Sequence, residues 1–126
     1  MTKAAALHAF FSSFGIPAYA ESTVPQDVTF PWLTYQLATD AWDGGEGGQV
    51  SLTVNLWYYS TKMSEANAKA QEISEAIGLG GVLVECDGGV IWIKRGSPFC
   101  QALKDESDDN IKRRYINITA EFLTEN

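Results

Sequence analysis

The chain has 126 residues, 45% of them hydrophobic, and so can bury a single core without help from a metal or a disulfide framework. Nine basic residues stand against 16 acidic ones, a formal charge of -7 that disfavours attraction to phosphate backbones or anionic lipid. Cys86 and Cys100 are too few for a disulfide scaffold and lack metal-ligand spacing, so they read as free thiols in a reducing compartment.

A first helix is expected over 2–14, since Leu7, Phe10, Phe11 and Phe14 recur at helical spacing and Gly15 with Pro17 blocks continuation. The stretch is too short and too polar to span a bilayer, and it reads as neither a secretion signal nor a membrane span. A short extended piece over 18–20 and a polar loop through Pro25 and Asp27 follow. Pro31 then marks the start of a strand over 32–39, with Leu33, Tyr35 and Leu37 on one face. The connection over 40–49, rich in glycine and carrying Trp42, is expected as a long hairpin tip. It does not fit a phosphate-binding loop, because it ends in Gln49 and Val50 and leads into a strand.

The segment 50–78 organises the rest. Val50, Leu52, Val54, Leu56 and Tyr58 alternate with Ser51, Thr53, Asn55, Trp57 and Tyr59, the period of a strand with one buried face. The period then lengthens. Met63, Ala66, Ala70, Ile73 and Ile77 define one stripe of an amphipathic helix, with Thr61 or Ser64 expected as its cap and Gly78 as its left-handed end. A hairpin over 82–95 turns at Asp87-Gly88-Gly89, a loop with at most a turn of helix is expected over 97–110, and a last strand over 112–124 buries Ile116, Ile118, Ala120 and Phe122. The order predicts one α+β domain over 1–126: an antiparallel-rich, mixed sheet with two helices packed on one face.

No motif nominates a catalytic residue, cofactor or metal. In the acidic run Asp105, Glu106, Asp108 and Asp109, the sixth and twelfth positions of a calcium loop would be Asn110 and Ile116, so a solvated loop is expected. His8 lies off the apolar stripe of its helix and reads as a surface residue, with no nucleophile elbow to serve. Neither cysteine has a neighbouring cation in sequence to make it a thiolate. The sequon at Asn117 falls inside a strand and is discounted. Trp57 and Tyr59 alternate away from the core residues of their strand, so they either shield the second face of the sheet or form a subunit interface.

The segments Gly15-Ile-Pro-Ala-Tyr19, Pro31-Trp-Leu-Thr-Tyr-Gln36, 50–78, Ile91-Trp-Ile-Lys-Arg-Gly-Ser-Pro-Phe99 and Arg113-Arg-Tyr-Ile-Asn-Ile-Thr-Ala-Glu-Phe122 together resemble the tail terminator and tail-completion proteins of long-tailed bacteriophages with non-contractile tails. The resemblance is one of order, length and local wording over nearly the whole chain. It implies a virion protein, present in the host cytoplasm during assembly, that forms a hexameric ring on the tail tube. Such a ring ends tube polymerisation and meets the head–tail connector proteins, and DNA passes through it without specific binding. Interface residues expected on this reading are Trp42, Trp57, Tyr59, Phe99, Arg113 and Arg114, the two arginines meeting acidic residues of a neighbouring subunit. Another head–tail junction protein is the nearer alternative. A small ligand-binding domain with Tyr35, Trp57 and Trp92 lining a cavity is the more distant one.

Overall fold

The computed structural model describes residues 1–36, 49–104 and 109–124. Among them are two α-helices, α1 (Lys3–Ser12) and α2 (Ser64–Ile77), and a single 3-10 turn over Glu21–Thr23. The strands are β1 (Ala18–Ala20), β2 (Trp32–Tyr35), β3 (Gln49–Tyr59), β4 (Val82–Cys86), β5 (Gly89–Lys104) and β6 (Ile111–Thr124), and they form one sheet in the order β1-β2-β3-β6-β5-β4. β1 pairs with β2 in parallel and every other pairing is antiparallel, so the fold is α+β with a mixed sheet. The expected hairpin tip, with Trp42, and most of the acidic run lie outside the described residues.

Both helices lie on one face of the sheet, and the core sits between them and it. β3 contributes Leu52, Val54, Leu56 and Tyr58, and β6 contributes Ile116, Ile118, Ala120 and Phe122. Directly opposed residues of antiparallel strands share a face, and the register sets Val54 against Ile116 and Leu52 against Ile118, so the two apolar rows coincide. The stripe on α2 is the expected one, with Ala66, Ala70, Ile73 and Ile77 buried and Met63 packed at its edge. On α1 the buried face is Ala6, Leu7 and Phe11, with Phe14 following just past the helix and Phe10 only half-buried. Lys69 of α2 donates to the Phe14 carbonyl at 2.6 Å and ties the helices together.

Local chemistry fixes the element ends. Thr2 caps α1, its hydroxyl accepting from the Ala5 amide at 3.1 Å, and the helix stops at Ser12, two residues short of Phe14. The cap expected for α2 is absent: Met63 holds that position with no side-chain hydrogen bond, and Ser60 instead accepts from the Lys62 amide at 3.1 Å. Gly78 ends α2 with the positive φ that favours glycine, 76°, although its ψ of 176° lies outside the left-handed helical region.

The largest departure concerns residues 97–104, expected as loop. β5 runs on through them, interrupted by a register shift between Arg95 and Cys100. Gly96 lies at that shift, where a Cβ would come within 2.9 Å of Asn117 of β6, so the strands close only because no side chain intervenes. Pro98, which has no amide to offer the ladder, falls inside the bulge, and its carbonyl accepts from the Asn117 side chain at 3.0 Å.

Candidate interaction surface

The face of the sheet turned away from α1 and α2 carries most of the unspent aromatic surface. Register places Trp32, Trp57 and Arg113 in one cross-strand row over β2, β3 and β6. The two indoles stack with centroids 5.1 Å apart and planes 8° from parallel. The Arg113 guanidinium carbon lies 4.9 Å from the Trp57 ring centroid, and its Nε donates to Asn55 Oδ1 at 2.8 Å. The Trp57 indole donates to the Thr34 hydroxyl at 3.3 Å. Under this cover Thr34 and Asn55, each 5% exposed, are buried polar residues with partners, as burial requires.

The cluster widens at its rim. Tyr19 meets Trp32 edge-on at 6.4 Å, and Phe30 bridges Trp32 and Tyr59 at 6.4 and 5.7 Å. Phe30 and Tyr59 remain 39% and 55% exposed, and no helix among the described residues covers them. At the other flank of the same face, Leu83, Trp92, Leu123, Gly80 and Gly81 line a shallow apolar recess of about 450 Å³. Trp92 donates to the Gly80 carbonyl at 2.8 Å, and Lys94 lies over its ring while facing Glu121 at 3.6 Å.

The remaining expected contact residues lie elsewhere. Arg114 pairs with Leu56, a core residue, and so points to the helix side, opposite to Arg113. Phe99 lies there too, and with Arg114, Cys100, Asn67, Ala70, Gln71 and Ser74 it lines a groove of about 400 Å³ against α2. The two arginines therefore project from opposite faces of the sheet. Nor do Tyr35, Trp57 and Trp92 share a cavity: Tyr35 is buried on the helix side, stacked on Phe11 at 4.8 Å, while the tryptophans occupy opposite flanks of the other face.

His8 is exposed, yet its Nδ1 lies 3.0 Å from the Tyr35 hydroxyl and its Nε2 3.3 Å from the Ser12 hydroxyl. This chain of groups links α1 to β2. Both cysteines are free. Burial raises the Cys86 thiol, and it raises Cys100 against the opposing pull of Arg114, so each is the neutral thiol at pH 7.

Sequence reasoning missed Phe30, Tyr19 and the Leu83–Leu123 recess. Leu83 had a readable signal, because it alternates with Val82 and Val84 on a strand whose neighbours face the core. No protein-family profile matches the chain, and no curated protein matches it at a significant level.

Proposed function

We propose that this chain is a structural subunit of virion assembly, which closes as a ring on the tail tube of a long, non-contractile bacteriophage tail, ends tube growth and offers the surface on which the head docks. The observation that carries the reading is the open sheet face, where two chemically different apolar patches stand at opposite flanks. One is the aromatic row with Arg113, and the other is the Leu83–Trp92–Leu123 recess beside Glu121. A subunit that meets the same neighbour on both sides of a ring needs two unlike patches that fit each other, in contrast to the single self-complementary patch of a two-fold dimer. Aromatic side chains and arginine at the centre of a patch are the composition of a contact that holds.

The charge of -7 suits a passage through which DNA slides, because like charge keeps phosphates from sticking. The reading also draws on the resemblance in segment order set out above. Its test is assembly. Tails made in the absence of this protein are expected to be overlong in electron micrographs, and purified protein added to tubes of normal length is expected to cap them as rings. Tails of normal length without it, or a strict monomer at the tube end, would overturn the proposal.

A further inference from the structure

The groove between α2 and the β5–β6 pair has features that the ring reading does not use. Asn67, Ala70, Gln71 and Ser74 recur at i, i+3, i+4 and i+7, so they present one continuous edge of α2, and Phe99, Cys100 and Arg114 face them from the strands. Arg114 Nε is buried with no hydrogen-bond partner among the described residues. A buried charged donor left without an acceptor is costly, and a chain with an excess of carboxylates offers many acceptors that this position does not use.

A second positive charge stands beside the groove, since Arg95 donates to the Ser74 hydroxyl at 2.9 Å. On α2 the Glu75 carboxylate accepts from the Gln71 amide at 3.1 Å, and no carboxylate is among the described residues that line the groove. Cys100, neutral because it is buried, adds no opposing charge. The α2 wall sets Ala70 among the polar Asn67, Gln71 and Ser74, and the strand wall carries the apolar ring of Phe99 beside Arg114.

We propose that this groove is a binding site for a monocarboxylate with an apolar body, its carboxylate held by Arg114 and its hydrocarbon portion seated against Phe99 and Ala70. A planar guanidinium matches a carboxylate in geometry. A volume of about 400 Å³ is at the lower end of small-ligand sites. A dianionic phosphate fits less well, because Arg95 is engaged with Ser74 at the groove's edge and the apolar surface of Phe99 would stand against a fully hydrated dianion. This inference is independent of ring formation, as the groove and the aromatic row lie on opposite faces of the sheet.

The full chain, labelled with nitrogen-15, is titrated with phenylacetate and separately with phenylacetamide, following amide resonances and the Arg114 Nε–H. Saturable shifts confined to residues 67–74, 99–101 and 114 are expected with the acid, and a response at least about tenfold weaker with the amide. Arg114→Met is expected to weaken phenylacetate binding by roughly tenfold or more. Asn67→Phe changes an exposed helix position, keeps the fold and fills the groove, and it is expected to abolish the shifts. A peptide with the sequence of residues 105–109, which carries carboxylates but no apolar body, is expected not to displace phenylacetate, and displacement by it would overturn the assignment of the ligand as a monocarboxylate with an apolar body. Equal binding of acid and amide, or unchanged binding in folded Arg114→Met or Asn67→Phe, would overturn the site.

Discussion

Trp32 and Trp57 lie ring on ring across the β2–β3 pair, 5.1 Å between centroids and 8° from parallel, on the face of the sheet turned away from α1 and α2. Their contact is a direct result of register, because Trp32 is the Cα partner of Trp57. Stacked aromatic pairs add about 0.5–1.5 kcal/mol beyond their buried area. A double-mutant cycle with Trp32→Ala and Trp57→Ala, read by urea unfolding, is expected to give a coupling energy in that range. Each single variant is expected to stay folded, since the core lies on the other face. A coupling near zero would show that the stack holds no energy of its own.

The Phe11–Tyr35 stack on the helix side carries a different weight. Phe11 is 1% exposed and lies at 4.8 Å and 22° to Tyr35, where α1 meets β2. Removing the ring leaves a cavity that neighbouring Leu7 and Leu33, both fully buried, fill only in part. Phe11→Ala is expected to cost about 3–5 kcal/mol in denaturant unfolding, against about 1–2 kcal/mol for Trp57→Ala on the open face. Similar losses at both positions would mean that the open face is covered as fully as the core.

Alkaline pH should weaken the fold at a predictable point. Burial raises the phenols of Tyr35 and Tyr58 above their ordinary value of 10.0, and Glu65 and Glu72 of α2 raise Tyr58 further. The cysteine thiols are raised above their ordinary 9.0 by burial as well. Above those ordinary values the unfolded chain has released protons that the folded chain still holds, so unfolding gains driving force as pH rises. Stability is expected to be fully present below about pH 9 and to fall through pH 10 and beyond until the folded-state phenols ionise. Tyr58→Phe should flatten that decline. A stability profile that keeps rising above pH 10, or one that Tyr58→Phe leaves unchanged, contradicts the placement of these phenols.

Much of the fold could be read because its signals are local. Alternation along β3 and β6 and the three-and-four spacing on α2 depend only on neighbours in the chain, and both buried faces follow from them. The far half of β5 could not be read in this way. Ser97 and Pro98 signal a break, and the strand resumes beyond them because β6 is long enough to pair on both sides of the bulge. The open-face aromatics divide similarly: alternation points Trp57 and Tyr59 outward, whereas their partners come from a segment distant in the chain, Trp32 through its pairing with Trp57 and Phe30 through its ring contacts. The separation of Arg113 and Arg114 was legible, since consecutive strand residues point to opposite faces, and grouping them by adjacency overlooked that.

That separation divides the consequences of reversing each charge. Arg113 is half-buried on the open face, where it donates to Asn55 and lies over Trp57. Arg113→Glu removes both contacts at the surface, places a carboxylate against the negative face of an indole, and leaves the helix-side core untouched. Its thermal stability is expected to fall only modestly, while ring formation on tail tubes is lost. Arg114 lies on the core side, half-buried beside Cys100 and Phe99. Arg114→Glu puts a shorter, charged group where burial has already raised a thiol, so it is expected to lose about 1–3 kcal/mol of stability. At temperatures where that variant remains folded, rings are expected to form. Circular dichroism melts together with negative-stain micrographs of both variants check the division. Rings from Arg113→Glu, with none from a well-folded Arg114→Glu, would place the subunit contact on the helix side of the sheet.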